Sequence, residues 1–137
     1  MSKAKDSNLA LRIVSSSAGT TPDFCIAEHS KKVTLSKSYY DKRKMVVVSL
    51  LHLKRHINCV HLSYQEATEF TLPFVICCGL RADIYTIRLV SEDWCAVEKC
   101  KDLDIPCCVA EVKEGKIVSY IHHLKSLKVC GKITILH

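Results

Sequence analysis

The chain contains little glycine and little proline. Four glycines and three prolines occur in 137 residues, and the glycines lie far apart. A phosphate-cradling loop and a dinucleotide-binding fingerprint both need clustered glycines, so the sequence predicts neither. The motifs GxSxG of serine hydrolases and HExxH of zinc proteases are also absent. We therefore expect no enzymatic activity and no cofactor.

Long apolar runs and an export signal are missing as well. The most apolar stretches, residues 45–53 and 72–80, span about nine residues each, whereas a helix needs about 20 to cross a bilayer. Near the N-terminus, residues 1–11 contain Lys3, Lys5 and Asp6 and no apolar run of the length that a signal peptide has. The sequence therefore predicts no transmembrane segment and an intracellular protein, cytoplasmic or nuclear.

Cysteine is abundant, but no CxxC pair occurs among the nine cysteines. Their odd number and the lack of an export signal argue against a disulfide framework. Both adjacent pairs, Cys77-Cys78 and Cys107-Cys108, lie in apolar runs, where free cysteine behaves as a small hydrophobic residue. We expect reduced cysteines, most of them in the core.

The N-terminal region differs in composition from the rest of the chain. Residues 15–22 are rich in serine and threonine, which predicts a flexible N-terminal arm over residues 1–23. Within the arm, alternating apolar residues at 9–13 predict a short edge strand. Residues 24–137 are predicted to form a single β-rich globular domain.

Segments rich in Val, Ile, Thr, Tyr and Phe recur along this domain. They predict an α+β, β-rich fold with a single antiparallel sheet of about six to eight short strands and one or two packed helices. Gly115 predicts a tight hairpin between two of the segments. The predicted strands are 24–28, 32–36, 57–64, 70–78, 83–90, 107–112, 116–123 and 127–136.

Two further segments have helical features. Residues 91–101 begin with Ser91 as a cap, with acids in the first turn and lysines in the last, which predicts a helix. Residues 41–57 place apolar side chains at helical spacing but also contain three consecutive valines. Their length favours a helix, with a strand as the alternative.

Positive charge is segregated along the chain, whose formal net charge is +6. Residues 31–56 hold eight lysines or arginines with Asp41 as the one acid, and residues 116–137 hold four lysines and no acid. Residues 57–115 carry ten acids against five bases. Segregated positive charge attracts anionic partners, whether nucleic acid, acidic protein or anionic lipid.

Two tyrosines lie within the first basic block, Tyr39 and Tyr40, between Lys37 and the basic run 42–44. Aromatic rings interleaved with cations suit single-stranded nucleic acid, which needs base stacking and phosphate neutralisation. We predict a non-enzymatic small basic protein that binds nucleic acid or another anionic surface, such as a viral accessory or matrix-like protein. The predicted binding residues are Lys31, Lys32, Lys37, Tyr39, Tyr40, Lys42, Arg43, Lys44, Lys54, Arg55, Lys125, Lys128 and Lys132.

Other interpretations of the same residues stay open. The lysines would also suit a solvated loop without a partner, with the tyrosine pair packed into the core. Lys31-Lys32 and the run 42–44 resemble a two-part nuclear localisation signal with a short spacer. The domain would also suit a protein-interaction module that forms a homo-oligomer through a sheet edge.

Metal-ligand residues occur without a known spacing. His52 and His56 share a helix face if 41–57 is helical, and Cys59 and His61 follow closely. Cys95, Cys100 and the pairs 107–108 and 122–123 form a second set, but adjacent residues on a strand point to opposite faces, so each pair would give one ligand. We predict no metal centre, with a zinc- or thiol-dependent protein as the alternative.

Overall fold

The computed structural model describes residues 11–13, 25–30 and 34–130, which form an α+β fold with a single mixed sheet. The strands are β1 (Leu11–Ile13), β2 (Cys25–Ser30), β3 (Thr71–Cys78), β4 (Arg81–Leu89) and β5 (Cys95–Asp104). The helices are α1 (Leu35–Val60), α2 (Tyr64–Glu69), α3 (Val109–Lys113) and α4 (Lys116–Cys130). The sheet follows chain order, from β1 at one edge to β5 at the other.

Three of the four neighbouring strand pairs in the sheet are antiparallel, and one is parallel. β3, β4 and β5 form an antiparallel meander, and β1 is antiparallel to β2. β2 and β3 are parallel, which requires a crossover connection, and α1 lies in that connection. The prediction of an antiparallel sheet is therefore wrong at this pair.

α1 covers one face of the sheet. Met45 and Leu53 of α1 are wholly buried against Leu72 and Phe74 of β3 and Tyr85 of β4. The rings of Phe74 and Tyr85 stack with their centroids 5.3 Å apart. The helical spacing predicted for residues 41–57 is thus confirmed, and the helix extends beyond both ends of that range.

α4 lies on the other face. Val75 of β3, Ala82 of β4 and Leu103 of β5 form a second buried cluster, against which Tyr120 of α4 packs. Successive strand residues point to opposite faces, so Val75 and its neighbour Phe74 belong to different faces. α1 and α4 therefore lie on opposite sides of the sheet.

The described residues contain fewer strands than the six to eight predicted, and the three-residue β1 is one of the five. The predicted strands 107–112 and 116–123 are the helices α3 and α4, and 127–130 continues α4. The predicted strand 57–64 is the end of α1 and the start of α2. Gly115, at φ +85°, joins two helices and does not close a hairpin.

The helix predicted for residues 91–101 is also wrong. These residues form the tight turn after β4 and then β5. The backbone N–H of Val90 donates a hydrogen bond to the Trp94 carbonyl at 2.8 Å, and Val97 packs against the cluster under α1. Pairing with β4 therefore outweighs the capping and charge pattern of the segment.

None of the helices in the described part of the chain has the length and hydropathy needed to cross a bilayer.

Candidate functional site

The candidate site lies on α1, whose orientation is set by a buried stripe. Thr34 caps the helix by accepting a hydrogen bond from the Lys37 backbone N–H, and His61 ends it in the left-handed conformation. The buried positions recur every three or four residues: Asp41, Met45, Ser49, Leu53 and His56. This stripe faces the sheet, so the opposite side of α1 faces solvent.

The outer face of α1, as we call it, consists of Tyr40, Arg43, Val47, Leu51 and Lys54, spaced three or four residues apart. All five side chains are exposed, with Tyr40 at 66% and Leu51 at 64%. The face thus combines one aromatic, two cationic and two aliphatic side chains at a surface open to a partner.

Three lysines of the predicted site have partners within the protein. Lys44 forms an ion pair of 2.9 Å with the largely buried Glu28 of β2. Lys37 binds Asp41 at 2.8 Å, which raises the pKa of the lysine. The Lys42 ammonium lies 4.7 Å from the centre of the Tyr85 ring, in cation–π geometry. Lys42 and Lys44 therefore contribute to holding α1 against the sheet, whereas the pair of Lys37 with Asp41 lies within the helix.

The other cations of α1 point outward. The Arg43 guanidinium lies 5.7 Å from the centre of the Tyr39 ring, and Tyr39 is exposed like its neighbour Tyr40. Lys54 and Arg55 are exposed one helical turn beyond Leu51. None of the ion pairs among the described residues engages Arg43, Lys54 or Arg55.

The second basic block lies elsewhere on the molecule. Lys125 and Lys128 belong to α4, across the sheet from α1, and Lys125 is exposed. Lys31, Lys32 and Lys132 lie outside the described residues. The structure therefore brings Arg43, Lys54 and Arg55 onto one helix side but does not bring the α4 lysines to it.

Several acids of the middle segment are paired with bases of the same part of the sheet. Arg81 binds Asp102 at 2.8 Å and lies 3.6 Å from Asp83, while Lys99 lies 3.2 Å from Asp83. The Lys99 hydrogen bond lowers the pKa of Asp102, and the Asp102 charge raises that of Arg81. This network occupies the meander and leaves the outer face of α1 without a neutralising acid among the described residues.

His52, His56, His61 and Cys59, considered above as metal ligands, do not form a cluster. His56 is buried with its ring 5.7 Å from that of Phe70, His52 is half-buried, and His61 and Cys59 are exposed at the end of α1. Among the described residues, the one set of three or more donor side chains within 4.8 Å of one another is Cys107, Cys108 and Glu111.

The three members of that cluster were not predicted from the sequence to lie together. The cysteine pair was expected on a strand, where it would give one ligand, but it precedes α3, and both thiols reach the same place. Glu111 was not predicted. The signal for it is its spacing, since a glutamate three residues after an N-cap lies over the start of a helix.

Half of the eight cysteines that the structure describes lie outside the core, where most were expected to lie within it, and Cys77, Cys78 and Cys95 are half-buried and pack against the two buried clusters. Cys25 is buried, and burial raises the pKa of its thiol to about 12. Cys59, Cys100, Cys107 and Cys108 are exposed, and all of these thiols are free.

Comparisons with models of protein families, with curated proteins and with solved structures find no match for this chain.

Proposed function

We propose that this chain is a non-enzymatic binding protein that uses the outer face of α1, together with the exposed neighbours Tyr39 and Arg55, to engage an anionic partner. The observation that carries the proposal is the charge of α1. The helix contains six lysines or arginines and a single acid, Asp41, whose side chain is buried on the side of the helix that faces the sheet. Lys37 and Lys44 are paired with the carboxylates of Asp41 and Glu28, and the Lys42 ammonium lies over the Tyr85 ring. The cations of α1 that remain for a partner to contact are Arg43, Lys54 and Arg55.

Single-stranded nucleic acid is the partner that this face suits best. Tyr39 and Tyr40 are exposed beside Arg43, so bases stacked on the rings would bring their phosphates near a guanidinium. Arg43 and Lys54 are eleven residues apart, which is about 16 Å along a helix axis at about 1.5 Å per residue. A strand following α1 would pass over Val47 and Leu51 between these two cationic ends.

Self-association through the sheet edge is the weaker alternative. Among the described strands β5 pairs with β4 alone, so its other side is a free edge. Glu98, Lys99, Lys101 and Asp102 lie along this edge strand, and a β-bulge interrupts its register with β4. Charges and bulges on an edge strand oppose pairing with a second chain.

The test compares two triple charge reversals that change the net charge equally. One variant carries Arg43→Glu, Lys54→Glu and Arg55→Glu. The matched control carries reversals at three exposed lysines away from α1, namely Lys101→Glu, Lys113→Glu and Lys125→Glu. Binding of a fluorescent single-stranded oligonucleotide is measured by anisotropy at about 50 and 200 mM salt, because counterion release makes phosphate contacts salt-dependent.

If the three cations neutralise three phosphates, the logarithm of the binding constant should fall with the logarithm of the salt concentration at a slope of about −2. Binding should therefore be about 20-fold weaker at 200 mM than at 50 mM salt. The α1 variant should lose this binding and its salt dependence, while the control keeps most of both. Equal loss in the two variants would refute the assignment to α1. Tight binding of an acidic protein or of anionic vesicles by α1, without binding of the oligonucleotide, would refute nucleic acid as the partner.

A further inference from the structure

The link between β5 and α4 gathers three metal-ligating side chains on the surface. β5 ends at Asp104, the adjacent Cys107 and Cys108 follow Pro106, and α3 begins at the next residue. Both thiols are exposed, and their sulfur atoms and a carboxylate oxygen of Glu111 lie within 4.8 Å of one another.

The carboxylate of this cluster is held in place from two sides. The Cys107 backbone N–H donates to Glu111 Oε2 at 2.8 Å, and the Lys116 ammonium donates to Oε1. Lys116 reaches back to Glu111 because the chain turns at Gly115, whose φ of +85° favours glycine. Hydrogen bonds that orient a ligating carboxylate are the usual outer support of a metal site.

We propose that Cys107, Cys108 and Glu111 bind a thiophilic divalent cation, zinc in the first instance, with water completing its coordination. Zn–S bonds of about 2.3 Å and Zn–O bonds of about 2.0–2.2 Å place tetrahedral ligand atoms roughly 3.5–3.8 Å apart. Since the three donors lie within 4.8 Å of one another, they need to approach by at most about 1.3 Å. Exposed thiols that precede a short helix can make this movement without disturbing the buried clusters.

The charges of such a complex balance locally. On binding, each thiol releases its proton to solvent and forms a Zn–S bond, while the already ionised Glu111 gives a Zn–O bond. Two thiolates and one carboxylate around a divalent cation leave a single negative charge, which the Lys116 ammonium offsets. Water in the fourth position makes this an open, exchangeable site, unlike a closed structural zinc site.

Cobalt(II) and zinc(II) titrations of the reduced full-length protein test the proposal. Cobalt should give thiolate-to-metal charge-transfer and tetrahedral d–d absorption bands that saturate at one equivalent per chain, and zinc should displace it. The site variant carries Cys107→Ser and Cys108→Ser. Its matched control carries Cys59→Ser and Cys100→Ser, which removes two other exposed thiols.

The site variant should lose the charge-transfer band, and the control should keep it. Glu111→Gln should weaken zinc binding by at least the roughly 10–100-fold that loss of a supporting partner costs. Far-UV circular dichroism establishes that each variant is folded. Equal metal binding by the two cysteine variants, no charge-transfer band in the wild type, or one metal shared between two chains would each overturn the proposal.

Discussion

Leu53 and Leu51, two residues apart on α1, should respond very differently to truncation. Leu53 is 0% exposed, whereas Leu51 is 64% exposed. Leu53→Ala leaves a cavity between α1 and the sheet and should lower the free energy of unfolding by about 3 kcal/mol, within the range of about 2–5 kcal/mol for buried leucines. Leu51→Ala removes surface that is already hydrated and should cost about 0.5 kcal/mol or less.

Urea unfolding followed by far-UV circular dichroism measures both variants. The single tryptophan, Trp94, is 74% exposed and reports little about the core by its fluorescence. At about 4 °C per kcal/mol, Leu53→Ala should also lower the melting temperature by about 12 °C. Equal losses in the two variants would mean that α1 is rotated on the sheet. In that case Arg43 and Lys54 would not share a solvent-facing side, and the proposed binding face would be lost.

Lys44→Met should cost about 2 kcal/mol in urea titrations because it leaves the Glu28 carboxylate buried without its cation; the cost stays below the roughly 3–5 kcal/mol of a fully buried pair because Lys44 is 20% exposed. Adding Glu28→Gln should recover part of this loss, and a strictly additive double variant would contradict the pairing. With its pKa raised to about 12, Cys25 should resist alkylation at about pH 8 while exposed cysteines react, as mass spectrometry would show. The stability gained by burying the neutral thiol is fully present below pH 9.0, the ordinary pKa, and is lost as the pH rises toward about 12. Lys116 and a backbone amide lower the pKa of Glu111 from 4.5 to about 2, so its contribution to stability is present above pH 4.5 and is lost as the pH falls toward 2. A carboxyl NMR titration should show this pKa returning toward 4.5 in Lys116→Gln, and an unchanged value would contradict the ion pair.

The sequence predicted secondary structure correctly where the apolar residues of a segment followed one clear periodicity. Val46, Leu50, Leu53 and Ile57 keep helical spacing over about three turns, which outweighs the β propensity of consecutive valines, and the helix is present. Strands β3 and β4 were also predicted close to their observed bounds, because their runs of β-branched and aromatic residues are buried on both faces or nearly so.

The errors came from segments in which local and tertiary preferences conflict. Between residues 116 and 125 of α4, the half-buried residues are Ile117, Tyr120 and His123, at spacing three, but β-branched neighbours suggested a strand. In β5 the local signals favoured a helix, whereas the backbone hydrogen bonds to β4 are available only after folding. Contacts between distant segments are not visible in local composition.

The candidate site was predicted in outline only. The sequence located the excess of positive charge at 31–56, but the pairing of Lys44 with Glu28, sixteen residues earlier, depends on how α1 lies on the sheet. Similarly, the convergence of Cys107 and Cys108 with Glu111 depends on a short helix where a strand was expected. Charge can be counted along a chain, whereas its availability to a partner is decided by packing.

The parallel pairing of β2 with β3 has a consequence for the order of assembly. Short turns join β3, β4 and β5, whereas about 40 residues separate β2 from β3, which adds about 2 kcal/mol of loop-closure entropy relative to a four-residue turn. We expect the meander to gain its contacts before β2 docks, since local contacts form first. Glu28 arrives with β2, so Lys44 would spend part of the folding process unneutralised, and the nascent helix would be more cationic than the native one.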